Sequence, residues 1–235
     1  MLRIILISLL WFFTTGASGT NWSGSSGASG MNTGNAPATG STNRSNYMWI
    51  KPDTLSGTFV EVSSYGTNST GERWSFKLRQ SSSNLLRIEI QGSGYSSSLV
   101  PSTGSWQFVG ATLNGTTLGD HELYLDGSTE SASGSNSVNT GSTQNLHIGT
   151  SGFFTGSEYD GVMGPYYFFA TNISSVEREE IRWKLEGVPG ATNLYTMMGS
   201  TPVTDISGNA NTATLDGGNS TSLDGPPLIQ GGLPL

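Results

Sequence analysis

Hydrophobic and polar residues alternate along the middle of the chain with the two-residue period of half-buried β-strands. Trp74, Phe76 and Leu78 are separated by polar residues, and the segment 86–90 repeats the pattern. Similar runs predict further strands at 47–52, 57–64, 106–113, 120–126, 145–149 and 161–170. Glycine-rich turns separate these segments at short intervals. We therefore predict an all-β fold, an antiparallel jelly-roll β-sandwich.

One segment, SSVEREEIRWKLEG at 174–187, has a helical pattern instead. Ser174 suits the N-cap position, and Glu177 completes a capping box with it. Ile181 and Leu185 are four residues apart, which places them on one face of a helix. The segment ends in a glycine, and a proline follows two residues later, as at many helix ends. The sandwich is thus predicted to carry one short helix.

The composition limits the kinds of partner. The 235 residues carry a net charge of −7 and no basic stripe, so no binding to nucleic acid is expected. The chain has no cysteine, which excludes disulfides, thiolate chemistry and cysteine-based zinc sites. The composition leaves other classes of partner and the redox compartment open.

The two ends of the chain differ in amino-acid composition from the middle. Residues 1–19 combine a positive start, a short apolar run and small residues, and we interpret them as a secretory signal. Residues 20–45 are rich in Gly, Ser, Asn and Thr, which predicts a flexible linker or a long loop, with Trp22 and Met31 able to pack on the core. The sandwich is predicted to span 46–235, including a C-terminal strand and tail. Membrane contact is expected only through the apolar start, if it is retained.

Six short motifs follow one another in an order that resembles a known family. They are WIKP (49–52), GSWQFVGATLNG (104–115), ELYLDG (122–127), LHIGT (146–150), YDGVMGPYYFF (159–169) and SSVEREEI (174–181). Over roughly 47–186 this order resembles the laminin G-like branch of the concanavalin A-like lectin and glucanase superfamily. The resemblance implies two facing antiparallel sheets and a role in recognising glycans or proteins. Some members bind calcium on a loop, and a subset of the superfamily hydrolyses glucans.

The C-terminal segment departs from the family's usual order. LYTMMGSTPVTDISGNANTATLDG (194–217) resembles the segment that usually begins such a domain. We hypothesise a circular permutation, in which this segment supplies the strand that family members place first. A truncated copy of a second domain is the alternative.

The sequence offers no recognisable catalytic constellation, and we predict that the protein is not an enzyme. A retaining glycosidase needs two carboxyl groups about 5 Å apart. Glu61 is the only acidic residue of its predicted strand, and Glu89 is flanked by two isoleucines. His121 and His147 are distant in sequence, and no nucleophile-elbow motif accompanies them.

Acidic turns raise the question of calcium, although no cofactor is otherwise implied. Asp126, Asp160 and Asp205 are the candidate ligands, because calcium takes carboxylate and carbonyl oxygens from loops. The competing interpretation is structural. Asp126-Gly127 has the signature of a tight hairpin turn, and the Asp205 stretch has that of an Asx-rich turn.

Exposed aromatic rings in loops are candidates for stacking on sugars. The candidate glycan-binding residues are Phe153, Phe154, Tyr159, Tyr95 and Tyr65. The Phe153–Phe154 pair stands out because it lies in a Gly/Ser-rich loop. The same rings are equally well interpreted as loop anchors on the sandwich rim or as a protein-contact patch.

Two functions remain open on the sequence. The first is a non-catalytic recognition module that binds carbohydrate outside the cell or on a particle surface. The second is a structural or decorating protein of a virion or cell-surface assembly, whose sandwich packs against neighbouring proteins. Both place the protein in a secreted, extracellular or virion-surface setting.

Overall fold

The structure is a computed structural model that describes residues 19–22, 30–56, 58–81, 83–183, 190–195, 205–216, 220–222 and 226–227. The predicted signal at 1–18 lies outside these residues. So do Leu185 and the glycine and proline that were predicted to end the helix.

Fifteen strands and one α-helix follow one another in the described part of the chain. The strands are β1 (Gly19–Trp22), β2 (Gly30–Asn32), β3 (Arg44–Thr54), β4 (Phe59–Gly66), β5 (Arg73–Gln80), β6 (Ser83–Glu89), β7 (Gly94–Ser96), β8 (Gln107–Leu113), β9 (His121–Leu125), β10 (Ser128–Ser131), β11 (Gln144–Ile148), β12 (Asp160–Phe169), β13 (Asn193–Tyr195), β14 (Thr214–Asp216) and β15 (Ser220–Ser222). The helix α1 (Ser175–Trp183) lies between β12 and β13. Each predicted strand is present with its ends shifted by a few residues.

The strands form two antiparallel sheets that face each other. Sheet A has the order β10-β9-β8-β3-β12-β1-β15, and β13 also pairs with β12. Sheet B has the order β14-β2-β11-β4-β5-β6-β7. The predicted antiparallel jelly-roll β-sandwich with one short helix is therefore confirmed.

The core lies between the sheets because each strand turns its apolar positions inward. Trp74, Phe76 and Ile88 of sheet B are fully buried, as are Met48 and Leu123 of sheet A. These side chains belong to one continuous cluster. Alternate positions on the same strands face away from it, and these outward faces carry the polar and charged side chains considered below.

The outer face of sheet A carries a second apolar cluster, which the helix covers. Tyr47, Trp49, Phe108 and Tyr124 of the sheet pack there with Ile181 of α1. The helix begins as predicted. The backbone N–H of Ser174 donates to the Glu177 carboxylate at 2.7 Å, and the N–H of Glu177 donates to the Ser174 hydroxyl at 3.2 Å.

The polar segment before β3 is part of the sandwich where the structure describes it. Met31 of β2 is fully buried, and the strand pairs with β11 and β14. A flexible linker therefore does not describe residues 30–32, because their backbone hydrogen bonds are made inside sheet B. Residues 33–43 form a loop that leads into β3. The boundary at residue 46 stays a prediction.

Two segments far apart in sequence share one edge of β12. Thr20 pairs with Met163 near the start of β12, whereas Leu194 pairs with Tyr167 near its end. The segment that begins at 194 thus contributes a strand to the sandwich, as the permutation hypothesis requires. The origin of that arrangement stays a prediction.

Among the residues described, no helix is long and apolar enough to cross a membrane.

Candidate functional site

The outer face of sheet B carries a group of charged side chains, several of which are buried. Five of them, from β4, β5 and β6, form what we call the charged row: Glu61, Arg73, Lys77, Arg87 and Glu89. They are neighbours because Glu61 pairs with Lys77 and Lys77 pairs with Arg87 across the three strands. Alternation along each strand places them opposite the core residues.

Glu89 is the centre of the charged row. Its carboxylate accepts hydrogen bonds from Arg73, from Lys77 at 2.9 Å and from Arg87 at 3.3 Å. Its side chain is 13% exposed, so the carboxylate is within reach of solvent. The three cations hold it in place from three directions, and such charge-assisted bonds are the strong ones.

Glu61 and Lys77 lie deeper, and the charge of Glu61 is poorly compensated. Lys77 Nζ is 3.5 Å from the nearer Glu61 oxygen, and both side chains are almost completely buried. Within the described part of the chain, neither carboxylate oxygen of Glu61 has a hydrogen-bond partner. Burial lowers the pKa of Lys77 to about 8, although the nearby Glu61 charge partly opposes the shift. A half-satisfied buried charge pair costs stability, so its retention calls for a functional explanation.

A loop between β11 and β12 covers the charged row. The Gly149 N–H donates to Val62 O at 2.8 Å, and the Tyr159 N–H donates to Gly149 O at 2.8 Å. The Glu61 N–H donates to Ser157 O at 2.9 Å. Both ends of the loop are therefore fastened to the sandwich, and its middle carries Phe153 and Phe154 across the outer face of sheet B.

Three phenylalanine rings line up on this surface, and we call them the aromatic strip: Phe59, Phe153 and Phe154. The Phe154 ring centroid is 6.4 Å from that of Phe59 and 6.5 Å from that of Phe153. Phe154 is 39% exposed, whereas the other two rings are half-buried. The strip presents a row of adjacent rings at the protein surface.

Cations of the charged row support the aromatic strip. The Arg73 guanidinium lies 4.8 Å from the Phe154 centroid and 5.5 Å from the Phe153 centroid. Lys77 Nζ lies 4.6 Å from the Phe59 centroid. Such cation–π contacts fix the ring positions while Phe154 keeps a solvent-exposed surface.

The structure separates the five aromatic residues that the sequence suggested. Phe153 and Phe154 lie in the strip. Tyr65 and Tyr159 are fully buried and have no ring face open to a ligand, so their prediction as glycan contacts is corrected. The Tyr65 hydroxyl accepts a hydrogen bond from Arg44 at 2.7 Å, and that of Tyr159 donates to Val162 O at 3.1 Å.

Tyr95 lies apart from the strip, at a rim where the two sheets meet. Its hydroxyl donates to the Glu130 carboxylate at 2.6 Å. The hydrogen bond to Glu130 raises the pKa of Tyr95. The Ser98 N–H donates to the same carboxylate at 2.9 Å. Tyr95 therefore ties β7 to β10 rather than extending the aromatic strip.

Asp126 makes a turn, as the hairpin interpretation predicted. Leu125 pairs with Ser128, so Asp126 and Gly127 form a two-residue connection, and both have positive φ, 46° and 97°. The Asp126 carboxylate accepts hydrogen bonds from the Phe108 N–H at 2.9 Å and from Arg182 at 3.0 Å. These contacts fasten the turn to sheet A and to the helix.

The two other acidic candidates are also engaged by the protein. Asp205 Oδ1 accepts from the N–H groups of Leu194 and Ser207, each at 2.9 Å, and Oδ2 accepts from that of Asn211 at 3.1 Å. This is the geometry of an Asx-rich turn. Asp160 accepts from the Thr54 hydroxyl at 2.8 Å. The described residues contain no group of three His, Asp or Glu side chains arranged to hold a metal ion.

The two histidines belong to different parts of the sandwich. His121 is buried, its Nδ1 lies 2.8 Å from Leu118 O, and its ring is 5.0 Å from that of Trp74. Burial lowers the pKa of His121 to about 4, so it is neutral at physiological pH. His147 lies on β11, where a Cβ at Gly152 of the covering loop would touch its ring.

Most of the charged row was not foreseen from the sequence. Glu61 and Glu89 were each interpreted as isolated, yet both contact Lys77 in the fold. Phe59 was not among the predicted binding residues because it begins a strand, whereas the candidate aromatic residues were those in or near loops. The sequence gives one indication of the charged row: Arg73 and Lys77 occupy the outward positions of an alternating strand. This pattern predicts a charged outer face, but it does not predict which acidic residues contact them.

The family of the chain follows from its sequence. A family model of the laminin G type, described as the concanavalin A-like lectin/glucanases superfamily, matches residues 25–177. The chain belongs to this superfamily, and the predicted resemblance is confirmed. No curated protein matches the sequence.

Several solved structures are similar in fold. A proposed carbohydrate-binding protein from Bacteroides ovatus ATCC 8483 has a TM-score of 0.64 and 14% identity, covering 90% of this chain and 61% of that one. The full extracellular region of zebrafish Gpr126/Adgrg6 has a TM-score of 0.56 and 16% identity, covering 86% of this chain and 27% of that one. The heptameric SAP-like pentraxin of Limulus polyphemus has a TM-score of 0.50 and 15% identity, covering 67% of this chain and 78% of that one. At these identities the similarity shows the fold alone.

Proposed function

We propose that the protein is a non-catalytic carbohydrate-binding module that acts outside the cell and binds glycans on the outer face of sheet B. The observation that carries the proposal is the aromatic strip, with Phe154 39% exposed at its centre and the cations of Arg73 and Lys77 against its rings. An immobilised ring is the surface on which the C–H face of a sugar stacks at little entropic cost.

The charged row supplies the polar half of such a site. Sugar hydroxyls both donate and accept hydrogen bonds, so they are best matched by fixed donors beside fixed acceptors. Arg87 and Glu89 are the partly exposed members, with side chains 18% and 13% exposed. They offer guanidinium donors and a carboxylate acceptor next to the strip. The fold of the Bacteroides ovatus protein supports the same function, which is itself a proposal for that protein.

The absence of catalysis is part of the proposal. The two carboxylates of the charged row are separated by the Lys77 ammonium, which contacts both at 3.5 Å and 2.9 Å. Glu61 is fully buried, so it lies out of reach of a glycosidic bond. A glycosidase needs one open carboxylate to attack or to activate water, and another to protonate the leaving group. The charged row instead resembles a supporting network for a binding surface.

A glycan array with the purified protein tests the proposal, first with calcium and then with a chelator. We expect binding to a defined set of glycans in both conditions. The Phe154→Ala variant should bind these glycans about tenfold more weakly, which corresponds to losing about 1.4 kcal/mol of stacking. Val176→Ala is the matched control, because Val176 is 67% exposed on α1, away from the strip.

The outcomes separate the alternatives. If no glycan binds in either condition, the carbohydrate-binding proposal fails and an assembly protein becomes the working function, with the strip as its contact patch. If binding is lost with the chelator, the structural interpretation of the Asp126, Asp160 and Asp205 turns is overturned. Equal binding by Phe154→Ala and the native protein would place the glycan site elsewhere.

A further inference from the structure

A concave surface lies on the opposite side of the sandwich from the aromatic strip, beside the helix. It is a cleft of about 570 Å³ on the outer face of sheet A. Thr112, Glu122 and Ser131 form its floor, because these residues are paired across β8, β9 and β10 and point the same way. We call it the polar cleft. Its volume falls in the range of small-molecule sites.

The walls of the polar cleft come from two loops and from the helix. Asn114 and Asn172 both line the cleft, and their side-chain oxygens accept hydrogen bonds from Asn43 Nδ2, at 3.2 Å and 3.4 Å. Asn43 Oδ1 in turn accepts from the Gly115 N–H at 3.0 Å. Asn43, which lies outside the lining, therefore connects these two amides to each other and to the backbone of the loop after β8.

Arg178 is a buried charge in the wall. Its side chain is only 9% exposed, and its Nη1 donates to Glu122 Oε1 at 2.6 Å. Its guanidinium lies 4.3 Å from the centroid of the Tyr124 ring, which holds it in place. Among the described residues, Arg178 Nε has no hydrogen-bond partner. Glu122 is 42% exposed, so it presents a carboxylate that is held in position from below.

Asp120 brings a second fixed carboxylate to the mouth of the cleft. Its Oδ2 accepts from the Thr116 N–H at 2.9 Å, and from the Thr117 N–H and hydroxyl at 2.8 Å each. The hydrogen bonds from Thr117 lower the pKa of Asp120, so this carboxylate stays ionised. The cleft thus combines two carboxylates, one compensated guanidinium, amides and hydroxyls around a floor without an aromatic ring.

We propose that the polar cleft is a second saccharide site, which takes the uncharged end of a sugar chain through hydrogen bonds rather than through stacking. Fixed acceptors and donors suit the hydroxyls of a neutral sugar. A negatively charged sugar is disfavoured, because Glu122 already neutralises Arg178 and Asp120 adds a further negative charge. The cleft lies on the other sheet from the aromatic strip, and its proposal does not depend on the strip.

Protein-observed NMR tests this site directly. The probes are the methyl glycosides of glucose, galactose, mannose and xylose, with the methyl glycoside of sialic acid as an anionic sugar. We expect at least one neutral probe to shift the backbone amide signals of Glu122, Ser131 and Asn172. Sialic acid should shift them several-fold less at equal concentration. The same shifts should persist in Phe154→Ala, since that residue is on sheet B.

A variant that fills the polar cleft, with a matched control, tests whether the shifts arise from binding in the cleft. Ser131→Leu fills the cleft from an exposed strand position and should abolish the shifts with an unchanged melting temperature. Ser128→Leu makes the same substitution on the same exposed strand outside the lining and should bind like the native protein. The proposal is overturned if none of the neutral probes shifts these amide signals. It is also overturned if sialic acid shifts them more than the neutral probes do, or if the shifts persist in Ser131→Leu. Failure of the aromatic strip would show separately, as glycan-array binding that Phe154→Ala does not weaken.

Discussion

The outer faces of the two sheets are built in opposite ways. On sheet A the rings of Tyr47, Trp49 and Tyr124 are covered by α1, and their polar atoms are satisfied. The Trp49 Nε1–H donates to Arg182 O at 2.8 Å, and the Tyr124 hydroxyl donates to Glu179 at 2.7 Å. On sheet B a loop covers a row of charges, and the buried Glu61 carboxylate has no hydrogen-bond partner among the described residues.

The difference shows where the fold gains stability and where it gives some up. A closed aromatic cluster with paired polar atoms stabilises a domain by burial alone. A buried ion pair often contributes less than apolar residues of the same volume would. Departures from such local rules concentrate at functional sites. The comparison therefore gives the outer face of sheet A beneath the helix mainly a role in folding, and it supports the proposal that the outer face of sheet B is a binding surface.

Breaking the aromatic cluster of sheet A should have the largest effect. Trp49 is 2% exposed and lies between Phe108 and Trp183, at centroid distances of 5.4 Å and 5.8 Å. We expect Trp49→Ala to lower the free energy of unfolding by about 3–5 kcal/mol. Urea denaturation followed by circular dichroism measures it. Val176→Ala, on the exposed side of α1, should stay within about 0.5 kcal/mol of the native protein, and a similar loss there would contradict the assignment.

Removing one charge of the Glu61–Lys77 pair on sheet B should lower the free energy of unfolding nearly as much as Trp49→Ala does. Lys77→Met leaves Glu61 buried beside an apolar group, so the free energy of unfolding should fall by about 3 kcal/mol. The double variant Glu61→Leu/Lys77→Met removes both charges, and it should be at least as stable as the native protein. Denaturation of the three proteins side by side checks the pair. A double variant that is less stable than Lys77→Met would show that the charges stabilise the fold.

The pH dependence of stability should differ between the native protein and that double variant. Because the folded-state pKa of Lys77 is lowered from 10.5 to about 8, the unfolded chain binds more protons between these values. Stability from this group therefore rises with pH across that window. Between pH 8 and pH 10 the native protein should gain about 2 kcal/mol relative to the double variant. If the free energies of unfolding of the two proteins change with pH in parallel, Lys77 has an ordinary pKa in the folded state.

The aromatic strip should matter least for stability. Phe154→Ala removes a partly exposed ring and its contact with Arg73, so the free energy of unfolding should change by about 1 kcal/mol or less. Its effect on glycan binding should be larger than its effect on stability. A melting-temperature measurement beside the array experiment separates the two. A large stability loss would reassign the ring to the role of a loop anchor.

The sequence predicts the strands well because alternation is a local property. The individual strands, the capped helix and the Asp126 turn all depend on residues that are neighbours in the sequence. The charged row could not be predicted, since it depends on which strands pair and in what register. Tyr65 shows the problem in one residue. It was predicted to lie in a loop after the strand at 57–64, but β4 extends to Gly66 and the Tyr65 ring lies in the core. The register of β4 also shifts around Glu61, which simple alternation does not predict.

The pairing of β1 with β15 has a consequence for how the domain connects to other polypeptide. Gly19 is opposite Ser222 on adjacent antiparallel strands, so the two backbones run side by side about 5 Å apart. Polypeptide joined at these two points would therefore enter and leave the sandwich side by side. Placed within a surface loop of a host protein, the domain would leave the two ends of that loop as close together as before.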